Sequence, residues 1–119
     1  MSRGYGILFS EFESDDVPME IMLICLDSIR SQLAMEFPNP SFEFDIVKVT
    51  SHCSENSYPE IGVHSGAEEI SDMEFKEMEI FVSNQTRNKN PISMAENIPK
   101  NESLSWEFIL ENGAYPKRT

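Results

Sequence analysis

The segment that most constrains the fold is an amphipathic helix enclosed by prolines. Apolar side chains recur at helical spacing through residues 17–37, and they form one stripe: Met22, Leu26, Ile29, Leu33 and Phe37. Acidic residues and a serine at 13–16 offer N-caps, and Pro18 suits a first helical turn. Pro38 and Pro40 end the helix, because proline cannot continue it. The first half of the helix is apolar on nearly every side, which predicts deep burial against other elements.

Strand patterns elsewhere in the chain predict the surface that buries this helix. In residues 41–50, aromatic and aliphatic side chains alternate with acids, as in a half-buried strand. Similar alternation predicts strands at 4–12, 73–83 and 104–110. A helix at 67–79 is the alternative for the third strand, since Glu, Met and Lys favour helices, but its Ile-Phe-Val finish favours a strand. We therefore predict an α+β fold in which one long N-terminal helix packs on a mostly antiparallel sheet of about four to five strands.

The length of 119 residues suits a single domain with three less regular parts. Residues 51–72 contain prolines, glycines and acids, and they predict an irregular segment with a short strand near 61–64. This segment is the predicted functional loop, because irregular segments on a rigid scaffold often carry contacts. Residues 84–101 are rich in asparagine and predict a long polar loop with one turn of helix near 93–96. Residues 115–119 predict a loose basic tail.

The charge is strongly negative and unevenly distributed. The chain has 21 acidic and 9 basic residues, which gives a net charge of −12. Residues 1–86 carry a net charge of −13, whereas residues 87–119 carry a net charge of +1. A nucleic-acid binder needs the opposite sign, because phosphate contacts dominate its affinity. The charge therefore argues against direct binding of DNA or RNA and against adhesion to an anionic membrane.

Few residues offer catalytic or metal-binding chemistry. His52, Cys53 and His64 are the closest set of nucleophile-and-base type, but their acidic surroundings disfavour the thiolate that such chemistry needs. The same residues lack the two tight ligand pairs of a structural zinc site. There is no glycine-rich phosphate loop and no Gly-x-Ser-x-Gly elbow. We therefore predict no catalytic residue, no metal ligand and no cofactor.

The cysteines and the apolar runs predict a cytoplasmic protein. Cys25 lies in an apolar run and is expected to be a small core residue. Two cysteines do not make a disulfide framework, so reduced thiols are expected. The first sixteen residues lack the order of features that marks a secretory signal. The longest apolar run has six residues, which is far too short to span a membrane.

The most informative functional feature is an acidic run at residues 55–79, which holds eight acids against one base, Lys76. One interpretation is a solvated sheet edge and loop. The other is an anionic patch that attracts a basic partner and rejects acidic competitors. Tyr58 and His64 are candidate anchors within it, because aromatic side chains are favoured at interfaces. The predicted partner-binding residues are Glu55, Tyr58, Glu60, His64, Glu68, Glu69, Asp72, Glu74 and Glu77.

This combination of small size, negative charge and absent catalytic motifs is similar to that of small cytosolic bacterial immunity proteins, which cap nuclease toxins. The resemblance implies an antitoxin-type inhibitor that neutralises a basic protein by plugging its active cleft, without catalysis of its own. A phage-type inhibitor or nucleic-acid mimic would use the same chemistry. A small acidic secretion chaperone is a further alternative and would be a homodimer with an apolar groove. A small enzyme would instead show a deep pocket with a perturbed titratable group.

Overall fold

The computed structural model describes residues 2–13, 16–51, 56–66 and 69–116, with the backbone alone for residues 2 and 3. These residues form four helices: α1 (Met19–Glu36), α2 (Asp72–Thr86), α3 (Pro91–Ala95) and α4 (Trp106–Asn112). They also form six strands: β1 (Ser2–Arg3), β2 (Tyr5–Leu8), β3 (Phe42–Thr50), β4 (Ser57–Ser65), β5 (Ile70–Ser71) and β6 (Ala114–Tyr115). No helix in these ranges combines the length and apolarity that a membrane crossing requires. The α+β class is confirmed, whereas the prediction of a single helix is wrong, because α1 is one of four.

The main sheet has four antiparallel strands in the order β2-β4-β3-β6, and β1 pairs separately with β5. The predicted antiparallel sheet is thereby confirmed. β3 and β4 are each nine residues long and pair along their full length, from Phe42 opposite Ser65 to Thr50 opposite Ser57. β4 also pairs with β2 on its other side. The long β3–β4 pair is therefore the centre of the sheet.

The short strand predicted near 61–64 lies within β4, but the irregular segment predicted around it is wrong at residues 57–60, because β4 already begins at Ser57. Pro59 weakened the strand signal, since proline cannot donate a ladder hydrogen bond. Pro59 lies opposite Lys48, whose own N–H donates away from β4 to the Gly113 carbonyl at 2.9 Å. In an antiparallel pair such a position exchanges no hydrogen bonds. The N–H that proline lacks would therefore not have bonded to β3, so Pro59 is tolerated inside the strand.

α1 packs across β3 and β4 and forms one side of the core. Its buried side chains are Leu23, Cys25, Leu26, Ile29 and Leu33, which confirms the helical stripe from Leu26 to Leu33. Cys25 is fully buried, and its Sγ donates to the Pro91 carbonyl at 3.2 Å. Burial raises the pKa of this thiol to about 11. The helix is capped by Pro18 without a side-chain hydrogen bond; of the predicted caps, residues 14 and 15 lie outside the described residues.

Two predicted strands, at 73–83 and 104–110, are wrong: α2 and α4 occupy these positions. Ser71 caps α2 by accepting from the Glu74 N–H, and Ser105 caps α4 by accepting from the Phe108 N–H. Within α2 the buried side chains recur at helical spacing: Phe75, Met78, Val82 and Thr86. α4 ends at Gly113, whose φ of 85° suits a glycine C-cap. Capping and burial at helical spacing therefore prevail over the strand pattern.

Residues 84–101 contain more regular structure than the sequence predicted. α2 continues to Thr86, and α3 follows a turn in which Asn88 takes a φ of 59°, a region that asparagine tolerates. Asn90 then caps α3 by accepting from the Ile92 N–H at 2.9 Å. At the end of the chain Tyr115 lies in β6 opposite Ile46, so the predicted loose tail is wrong at that residue. Residues 117–119 lie outside the described residues.

Candidate protein-binding surface

The structure divides the predicted acidic patch between two places. Tyr58, Glu60 and His64 belong to β4. Asp72, Glu74 and Glu77 belong to the first turns of α2, and Glu69 directly precedes β5. Glu55 and Glu68 lie outside the described residues, as do His52 and Cys53. The seven of the nine predicted residues that the structure describes therefore do not form one continuous site.

On β4, Glu60 and His64 face away from the core. Ile61 and Val63 are fully buried in the core cluster, so alternation places Glu60, Gly62 and His64 on the opposite face of the sheet. Tyr58 is on this face as well and is 37% exposed. We call this the second sheet face.

A histidine–carboxylate pair lies at the centre of the second sheet face. His64 Nε2 is 3.0 Å from Asp45 Oδ1, and Asp45 is 1% exposed. Gly62 provides the space, because a Cβ there would lie 3.0 Å from the same carboxylate oxygen. The Tyr5 ring lies 4.6 Å from the His64 ring, and its own burial, with the nearby Asp45 charge, raises the pKa of Tyr5. The hydrogen bond to His64 offsets part of the cost of burying the Asp45 carboxylate.

Glu60 is a second buried acid on this face, with an exposure of 4%. Its Oε1 accepts from the Ser10 N–H at 3.0 Å and from the Ser10 hydroxyl at 2.8 Å. Burial raises the pKa of Glu60 to about 7, against the opposing effect of the two bonds from Ser10. Glu60 and His64 are four residues apart on one strand, so their Cα atoms are separated by roughly 13 Å. These two groups are therefore too far apart to act as acid and base on one bond.

No three His, Cys, Asp or Glu side chains in the described ranges are arranged to hold a metal ion. His52 and Cys53, and the acids Glu55 and Glu68 that could have joined them, fall outside those ranges. The absence of a metal site and of catalytic residues therefore stays a prediction.

α2 presents a mixed apolar and acidic surface on the side away from the core. Met73 is 74% exposed and Ile80 is 49% exposed. Met73, Glu77 and Ile80 are spaced by four and three residues, so they form one stripe, and Lys76 lies beside it. We call these four residues the α2 outer face. A helix face that only meets water is normally polar, so the two large exposed apolar side chains make this face the candidate contact surface.

At the N-terminal end of α2, a groove lies between this helix and the end of α1. Glu36, Phe37, Phe42 and Glu74 line it, together with the loop at 38–41. Two hydrogen bonds to Ser71 hold Glu74 in place. Glu74 Oε1 accepts from the Ser71 hydroxyl at 3.1 Å, and the Glu74 N–H donates to Ser71 Oγ. The groove therefore has carboxylates and aromatic rings in its walls. We call it the α1–α2 groove.

At the other end of α2, Ile80 shares a second groove with Phe9, which is 55% exposed. Arg87 Nη2 is 3.2 Å from Glu11 Oε1 here, and the Ser83 hydroxyl donates to Glu11 Oε2. The bond from Ser83, followed by the contacts of Arg87, lowers the pKa of Glu11. This end of the helix thus has a paired cation, whereas its first turns are acidic.

The chain matches no family model, no curated protein and no solved structure. The sequence did not predict Phe9, Glu36, Met73 or Ile80 as candidate contact residues. The alternative prediction of a helix at 67–79 places Met73 and Glu77 on one stripe. No local pattern in the sequence predicts that Glu36 and Glu74 line the same groove.

Proposed function

We propose that this protein is a small acidic inhibitor of the immunity or antitoxin type, which binds a basic, nuclease-like protein through the α2 outer face and covers its active cleft. It acts by binding and not by catalysis. The observation that carries the proposal is the pair of exposed apolar side chains, Met73 and Ile80, on either side of Glu77.

The two kinds of side chain supply different parts of the binding energy. Met73 and Ile80 supply apolar area that loses water when a partner covers it, and such central anchors dominate the affinity of protein interfaces. The surrounding acids act at longer range, since a net charge of −12 attracts a positively charged protein and accelerates its encounter. A cleft that grips nucleic acid is basic, so it is complementary to this net negative charge.

The proposal is tested with matched substitutions on two helices. One variant carries Met73→Ala and Ile80→Ala, and another carries Glu77→Lys. The control carries Leu110→Ala and Glu111→Lys on α4, where Leu110 is 40% exposed and Glu111 is also exposed. The tagged proteins are incubated with native lysate at low and high salt, bound proteins are identified by mass spectrometry, and the dominant one is purified for titration and for a nuclease assay.

We expect one basic protein that is retained by the wild type and by the α4 control. The affinity of this captured protein for the α2 variants should be at least about ten-fold lower than for the wild type, as is typical when interface anchors are removed. The wild type should inhibit the nuclease activity of the captured protein. A mixture of unrelated basic proteins, all lost at high salt, would contradict the proposal. Equal losses for the α2 and α4 variants would contradict the role of the α2 outer face. A non-nuclease defence enzyme as the captured protein would favour the phage-type inhibitor instead.

A further inference from the structure

We propose that the α1–α2 groove is the subsite for an arginine side chain of the partner, an inference that rests on the proposed function. The groove adjoins the α2 outer face, because Glu74 lines the groove and Met73 precedes it on the same helix. A partner that covers Met73 would therefore lie next to the groove and could place a side chain in it.

The electrostatics of the groove favour a cation. The groove lies at the C-terminal end of α1, which is the negative end of the helix dipole. Lysine and arginine are normally favoured in a last helical turn, yet this turn has no basic residue and ends in Glu36. Glu74 adds a second carboxylate, and the residues that line the groove include no lysine or arginine. The negative potential is therefore not compensated by the lining itself.

The walls of the groove favour guanidinium over ammonium. Phe37 and Phe42 are both partly buried, and each is fixed by an edge-to-face contact, with Phe81 at 6.4 Å and with Phe44 at 6.5 Å respectively. A planar guanidinium can stack on an aromatic ring while its N–H groups pair with a carboxylate, whereas a compact ammonium is more strongly hydrated. Aromatic walls beside two carboxylates therefore suit arginine better than lysine.

The groove is formed before any partner binds. Its loop is closed by a hydrogen bond from the Phe42 N–H to the Asn39 carbonyl at 2.9 Å, and by another from the Ser41 N–H to Asn39 Oδ1 at 2.9 Å. The Ser71 hydroxyl orients Glu74 on the opposite wall. Because little ordering is then required on binding, even a single side chain should bind measurably.

The test uses small probes and isotope-labelled protein. Nα-acetyl-arginine amide is titrated into the ¹⁵N-labelled chain, and amide signals are followed by NMR. Nα-acetyl-citrulline amide is the uncharged isostere, and Nα-acetyl-lysine amide is the ammonium control. The variants are Glu36→Gln and Glu74→Gln, with Glu111→Gln as the matched control on α4. Glutamine is accepted at the position of Glu74 in a capping box, so the α2 cap is retained.

We expect the arginine probe to shift the amide signals of Phe37 and Phe42 in a saturable manner. Its affinity should fall by about two- to five-fold in each groove variant, the range of one exposed ion pair, and should be unchanged in Glu111→Gln. Equal binding of the citrulline or lysine probe would overturn the arginine assignment, as would equal affinities for all three variants. Loss of partner capture on Met73→Ala and Ile80→Ala without arginine binding would leave the proposed function standing and remove only the groove inference.

Discussion

We expect replacement of Glu60 by glutamine to stabilise the folded protein above neutral pH. Glu60 is buried on the second sheet face, and its carboxylate accepts two hydrogen bonds from Ser10. A glutamine side chain has nearly the same shape and its carbonyl oxygen can accept the same two bonds. It cannot ionise, so the fold no longer has to bury a negative charge at this position.

The direction and the size of the effect follow from the pKa of Glu60. Burial raises this pKa from 4.5 to about 7. Between these two values the folded chain retains a proton that the unfolded chain has lost, so the free energy of unfolding decreases as the pH rises. The full loss, at about 1.36 kcal/mol per pH unit, is about 3 kcal/mol above pH 7. Below pH 4.5 the carboxyl is protonated in both states and contributes no difference.

The measurement is urea unfolding of the wild type and Glu60→Gln at pH values from 4.5 to 8. The difference between their free energies of unfolding should be near zero at pH 4.5 and should increase to about 3 kcal/mol at pH 8. The other titratable groups are common to both proteins, so their contribution cancels in the difference. Glu77→Gln, at an exposed acid, is the control and should show no such increase. A difference that stays constant with pH would refute the reasoning.

Three further substitutions test the fold. Leu26→Ala, at a fully buried α1 residue, should cost about 2–5 kcal/mol in denaturant unfolding, while Met35→Ala at an 81% exposed position should cost little. Gly6→Ala should cost about 1–3 kcal/mol, because the new Cβ would lie 2.2 Å from the Phe75 ring, and an unchanged melting temperature would contradict that contact. Ser71→Ala removes the cap of α2 and should cost about 1 kcal/mol, with restoration expected for Ser71→Asp.

The errors in the predicted fold have a common physical origin. In α2, Met78, Ile80 and Val82 alternate like a strand, whereas Phe75, Met78 and Val82 recur like a helix. A short apolar segment can satisfy both periods at once, so local pattern alone does not decide between them. The Ser71 cap and the burial of the second set against the core decide for the helix.

The candidate site shows the same limit in another form. The run of acids is visible in the sequence, and its closeness along the chain predicts a single patch. Ser10 is 50 residues from Glu60, and its hydrogen bonds make Glu60 part of the sheet rather than part of an exposed surface. Glu36 and Glu74 are far apart in sequence, and they line one groove only because α1 and α2 pack together.

The sequence by itself determined α1, β3, the buried Cys25 and the excess of negative charge. These features are set by local periodicity, by proline and by composition, which do not depend on distant neighbours. Tertiary structure decided that Pro59 could lie inside a central strand and which acids are buried or exposed. Those outcomes depend on which elements pack together, because the free energy of burying a side chain is set by contacts between segments remote in the chain.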